Sequence, residues 1–235
     1  QVIIDYFKMK NIPGELVEHK WSDFGTNRTL ALQSAFNKSD YLFIFDADDS
    51  IHGEFKLPTR LTFDKYDLQF GKGFTYVRPL LINNRLQWKW VGVLHEYLTA
   101  ISNNIKSTSI SGEYYLESGK SGARSKDPQK YLKDAEILAK GFDEEKDRGL
   151  ANRYAFYCAQ SYKDAGNINK SIEWYEKVLT LNNWSQEKFY SCYQLGELYK
   201  FKDDYTNSLK YFTKSIDYDP ERIEGIINAV EYYYS

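Results

Sequence analysis

Asp46, Asp48 and Asp49 crowd into one short stretch, directly after the unbroken apolar and aromatic run from Tyr41 to Phe45. Clustered carboxylates repel one another and lose solvation, so such a group calls for a cation. Hard oxygen ligands suit magnesium or manganese, ions that commonly take phosphate oxygens as their other ligands. The chemistry would be a metal site gripping a diphosphate. The plain alternative is a solvated acidic turn, for which Asp-Asp-Ser is good material. A second cluster lies downstream, where Trp88 and Trp90 precede His95-Glu96-Tyr97. Flat aromatic rings beside a carboxylate suit a sugar or a peptide ring. The pair is not a zinc-protease motif, because no second histidine follows four residues on. Glu96 also reads as a helix-start carboxylate and His95 as a satisfied structural histidine. A third stretch, Ser118 to Asp127, is rich in Gly, Ser and basic residues. It is either a linker or a loop whose Arg124 and Ser125 close over phosphate oxygens.

The elements around these residues follow from periodicity. Val2, Ile3, Tyr6 and Phe7 have helical spacing, but no cap precedes them, so Gln1 to Met9 reads as the inside of an element. Asn11-Ile12-Pro13-Gly14 is a turn, Glu15 to Trp21 a short strand, and Asn27 to Ala35 a second helix. Tyr41 to Phe45 is then a strand buried on both faces. Helix, strand, helix, strand argues for a parallel sheet with right-handed crossovers. A strand before Gln1 would supply the missing neighbour, so the chain is expected to lack the start of its domain. Leu61 to Phe63, Phe74 to Leu81 and Leu86 to Trp90 read as short strands, with a hairpin turn at Asn83-Asn84.

Pro128 opens a helix at its first turn, and all that follows reads as helical. From Asn152 onward the chain repeats itself. Tyr162 and Tyr199, Ser171 and Ser208, and Tyr175 and Phe212 share one spacing, and the small residues Ala159 and Gly196 fall in the same register. Each unit is a helix pair: Asn152 to Lys163 with Asn169 to Leu179, then Glu187 to Phe201 with Tyr205 to Ile216. The repeat is slightly longer than the roughly 34-residue tetratricopeptide period. A third unit starts at Glu221 and stops within its first helix at Ser235, so the carboxyl end is expected to be incomplete as well.

Together these pieces resemble the family 2 glycosyltransferases with the GT-A fold, in the subgroup that carries carboxyl-terminal tetratricopeptide repeats. Asp46-Ala47-Asp48-Asp49 is similar to that family's metal-binding Asp-x-Asp motif, and Trp21 to Gly25 with Asn27-Arg28-Thr29 to the segment preceding it. Trp90 to Leu98 resembles the acceptor-side motif, and Gly122 to Ser125 the phosphate-side loop. The resemblance implies an α/β domain over residues 1–127 with a mixed, mainly parallel sheet, followed by all-α repeats over 128–235. It implies an inverting transfer from a nucleotide-diphosphate sugar, assisted by Mn2+ or Mg2+. Asp46 and Asp48 would hold the metal; His95 would complete its shell or orient Glu96. Arg28, Asp46, Arg124 and Ser125 would meet the donor, Glu96 would be the general base, and Trp88 and Trp90 would line the acceptor site. The acceptor could be a protein, a peptide or a glycan. The competing reading is a non-catalytic module working through its repeats, by peptide binding or as a homodimer.

Composition narrows the classes. A net charge of −2 leaves no footprint for nucleic acid, and no run is apolar enough to span a bilayer. Cys158 and Cys192 both sit in helical patterns among apolar neighbours. They read as small core residues of a reducing, cytoplasmic compartment.

Overall fold

The computed structural model describes residues 1–119 and 121–234, and the chain divides into two compact units, Gln1–Gly122 and Ala123–Ser235. The first is a mixed-sheet unit. Helix α1 (Val2–Met9) buries none of its residues. The strand expected over Glu15 to Trp21 does not form. A strand needs a neighbour for its N–H and C=O groups, and among the described residues none pairs with this segment. It lies exposed instead, with Glu15 paired to Lys38 and the His19 ring 3.0 Å from Ser34 Oγ. Helix α2 (Phe24–Ala35) begins three residues before the expected Asn27, because Asp23 caps it by accepting the Thr26 N–H at 2.8 Å.

Strands β1 (Tyr41–Phe43), β2 (Ser50–Gly53), β3 (Lys65–Phe70), β4 (Tyr76–Asn83), β5 (Trp88–Val91), β6 (Tyr97–Ala100), β7 (Ser107–Ile110) and β8 (Tyr114–Glu117) follow. Among the described residues they form a six-stranded mixed sheet in the order β1-β4-β3-β8-β2, with β7 also on β3, and a separate pair β5-β6. The sheet is not the mainly parallel one expected. Only β3 with β7 and β3 with β8 run parallel, whereas β1, β2 and β4 pair antiparallel. The run from Tyr41 is an edge strand, not a doubly buried one. Its described neighbour is β4 alone, and Phe43 and Phe45 remain exposed. The central strand is β3, whose Tyr66, Leu68 and Phe70 are buried in strict alternation. Sequence reasoning placed a strand at Leu61 to Phe63 and missed this one. The chain does turn after Asn83, but β4 and β5 enter different sheets, so no hairpin forms.

The second unit is helical. A 3-10 turn, Ala123–Lys126, leads into α3 (Lys130–Glu144), α4 (Arg148–Asp164), α5 (Ile168–Thr180), α6 (Ser185–Phe201), α7 (Tyr205–Ser215) and α8 (Glu224–Tyr234). Helix pairs α4–α5 and α6–α7 are the two repeats read from the sequence. The internal register carries a shared contact: Ser171 Oγ donates to the Ala159 carbonyl at 3.0 Å, and Ser208 Oγ to the Gly196 carbonyl at 2.9 Å. The small residue lets the second helix approach until its serine reaches that backbone. Between the repeats, Glu176 of α5 accepts hydrogen bonds from Tyr199 of α6 at 3.0 Å and Tyr211 of α7 at 2.8 Å.

A methyl group on Gly196 would lie 2.5 Å from the Phe212 ring, itself almost fully buried. Gly196→Ala is expected to cost about 1–3 kcal/mol, read as a lower urea midpoint with an unchanged slope. Cys158 and Cys192 are both free and buried. Burial pushes the Cys192 thiol from 9.0 up to about 12 and raises Cys158 in the same sense. The unfolded chain therefore sheds these protons first as the pH rises. Thiol-linked stability should be full below about pH 9 and fall towards pH 12. Cys192→Ala should flatten that alkaline limb in unfolding measured from pH 8 upwards.

Candidate functional site

The site residues of the first unit are carried by three short connections and one helix. The acidic turn follows β1, where Asp49 N–H donates to the Asp46 carbonyl at 3.0 Å and closes the bend. Glu96 ends the loop joining β5 to β6. Arg28 sits in the first turns of α2. The segment Ser118 to Gly122 follows β8; its Lys120 lies outside the described residues.

Arg28 brings two of these segments together. Its Nη2 donates to Asp46 Oδ1 at 2.7 Å and its Nη1 to Glu96 Oε1 at 3.0 Å. The guanidinium lies over the Trp90 ring, 4.3 Å from the centroid. Glu96 has a side chain only 9% exposed, while Asp46 is 45% exposed. A carboxylate so far out of water needs a partner, and Arg28 supplies it. The helix that carries Arg28 is itself strapped to β5. Thr29 Oγ1 accepts the Trp90 N–H at 2.9 Å and donates to the Gly25 carbonyl at 2.7 Å. Gly25 is buried so close to the next loop that a Cβ there would sit 2.3 Å from the Gly92 oxygen. Gly92, with φ +116, turns the chain back towards Glu96.

The other carboxylates of the turn are tied to the segment after β8. Asp49 accepts the Gly119 N–H and Asp48 the Gly122 N–H, each at 3.3 Å. Burial raises the Asp49 carboxyl above its ordinary range. The Gly119 N–H opposes this, the charge of Asp46 adds to it, Arg78 opposes it, and Asp48 adds again. Asp46 and Asp48 thus both act on Asp49, their neighbour in the turn.

Several expected residues have partners of their own in the fold. Trp88 is 6% exposed and donates its indole N–H to the Asn83 carbonyl at 2.9 Å, so it is a core residue and not an acceptor wall. Trp90 is also buried in that core, with Arg28 on its ring. Indole rings of this size bury well beside β-branched and aliphatic neighbours, which decides their place here. His95 is exposed and adopts left-handed backbone, φ +53. Among the described residues, no three His, Cys, Asp or Glu side chains gather as a ligand set, so Asp46, Asp48 and His95 do not form a common shell. Each carboxylate of the acidic turn already has a protein partner: Asp46 the Arg28 guanidinium, Asp48 the Gly122 N–H and Asp49 the Gly119 N–H. Arg124 belongs to the helical unit, where it pairs with Asp134, whose side chain is 8% exposed. A buried carboxylate needs such a counter-charge. Ser125 lies in the same 3-10 turn.

Sequence reasoning missed Arg78, which stacks on Phe70 at 4.7 Å and acts on Asp49, and Thr29, the strap between α2 and β5. A basic residue interrupting the apolar run from Phe74 to Leu81 was the available sign of the first. The second had none, because its partner is distant backbone.

Among known proteins, the tetratricopeptide repeat family model matches residues 159–183 and 189–222. The first match takes in the end of α4 with α5 and the second most of α6 with α7, so the helical region contains tetratricopeptide repeats. No curated protein matches the chain. Among the described residues no helix is long and apolar enough to cross a membrane.

Thr29→Val keeps the side-chain shape but leaves the Trp90 N–H without its acceptor. This should cost about 1–3 kcal/mol and lower the unfolding midpoint of the sheet unit, followed by tryptophan fluorescence.

Proposed function

We propose that the chain is an inverting glycosyltransferase of the GT-A type. In this reading it takes a sugar from a nucleoside-diphosphate donor, and its helical repeats recruit a protein or peptide acceptor. The observation that supports this best is the Arg28 bridge, which joins Asp46 of the acidic turn to Glu96 of the β5–β6 loop. Donor-side acid and acceptor-side carboxylate are thereby held within the span of one guanidinium, as a single displacement requires. Asp48, with Asp46, would hold Mn2+ or Mg2+, which when bound supplies positive charge to the departing diphosphate.

The chain's own residues do the rest. Glu96 is assigned as general base. Arg28 holds its Oε1, so Oε2 is the atom that takes the proton from the acceptor nucleophile. The positive charge of Arg78 opposes the upward shift of the Asp49 carboxyl in the same turn. Trp88 and Trp90 have no acceptor role in this reading, and neither do Arg124 and Ser125 a donor role.

The match to tetratricopeptide repeats favours a second reading, a protein-binding module without turnover. A panel of nucleotide sugars with manganese separates the two, read as release of nucleoside diphosphate in the presence of candidate peptides. Glu96→Gln is expected to lower turnover by about 10²–10⁴ while donor binding persists in calorimetry. Asp48→Ala should abolish the manganese dependence of donor binding. Peptide capture with no donor bound by any variant would favour the module instead.

A further inference from the structure

Resting on that reading, we infer that Arg28 is a positioning residue, which fixes Glu96 against the acidic turn, and not a ligand of the donor. The sequence resemblance gave it a donor contact, but its bonding is already committed. One terminal nitrogen holds Asp46 at 2.7 Å, the other holds Glu96 at 3.0 Å, and the Trp90 indole covers a face at 4.3 Å. Two of its five N–H donors are so used, and turning the plane of the fork onto a phosphate would pull it from Glu96, whose side chain is 9% exposed. Leaving a carboxylate so placed without its counter-charge is among the costliest changes a protein interior can suffer.

The mounting of Arg28 supports the same role. The residue after it, Thr29, is bonded to the Trp90 backbone, and Gly25 on the preceding turn is wedged against the Gly92 oxygen. Asp23 caps the helix start through Thr26. The Arg28 stem is therefore anchored to the strand and loop that deliver Glu96. Its far end meets Asp46, 18 residues away in sequence, while Glu96 is 68 away. One planar fork sets the distance between two segments that share no backbone pairing. A lysine is a single point charge on a flexible stem and cannot hold both carboxylates in one geometry.

The test is a split of kinetic constants in the full chain, with the nucleotide sugar that the wild type turns over. Arg28→Lys and Arg28→Gln should each lower kcat at least tenfold while the donor KM stays within about twofold, the signature of a lost transition-state arrangement. A raised donor KM with kcat preserved would assign Arg28 to the donor and overturn the inference. A stability cycle supplies an arm independent of turnover, using Arg28→Gln, Glu96→Gln and the double variant in urea unfolding. The double variant is expected to be at least about fivefold more stable, as an unfolding equilibrium constant, than the sum of the single losses predicts. Additive losses would overturn the inference whether or not the protein turns over a donor. A wild type that consumes no nucleotide sugar, together with a coupled cycle, would sink the transferase reading and leave Arg28 as the fixture of Glu96.

Discussion

A carboxylate removed from water must be compensated, and much of the first unit is arranged around that constraint. Glu96 is nearly enclosed, and the compensation comes from a helix that begins more than sixty positions earlier in the chain. The helix must therefore dock at one height and one rotation. Gly25 permits the close approach, Thr29 fixes the register, and the Asp23 cap sets where the helix begins. None of these residues does chemistry, yet each limits where the guanidinium of Arg28 can lie. The acidic turn gains a defined position from the same side chain, because Asp46 occupies its other nitrogen.

The helical unit solves a different problem by different means. A helix pair cannot bury its apolar stripe alone, so each pair leans on the next. Ala159 and Gly196 leave room for a serine of the partner helix to reach their backbone carbonyls, the same contact in each pair. The large buried rings Tyr175 and Phe212 occupy the same register position and fill the space beside the crossing. Packing in this unit is thus a local rule applied twice.

That difference explains how much was readable from the residues. The repeats were legible down to their serine and small-residue pairs, because each contact lies a few turns away within its own unit. In the sheet unit, the sequence marked Asp46 and Glu96 as chemistry-bearing residues but gave no sign that one arginine, Arg28, bonds both, and strand order was not legible either. The run from Tyr41 to Phe45 is apolar enough for a central strand, and only its pairing with β4 alone shows it to be an edge. Lys65–Phe70 alternates polar and apolar residues, the ordinary pattern of a half-buried strand, yet both its edges are paired. Trp88 beside a candidate site read as a binding surface, while its indole N–H had a backbone carbonyl waiting in the fold. Long-range partners decide such cases, and local composition does not name them.

The carboxylate of Glu176 is shared by tyrosines from both helices of the following repeat. Apolar stripes by themselves tolerate sliding, since one methyl packs about as well as the next. A single acceptor bound from two directions does not, because any translation of one repeat along the other breaks both bonds together. The joint between the repeats therefore behaves as a keyed coupling, in which a polar contact fixes the register that an oily seam alone would leave loose.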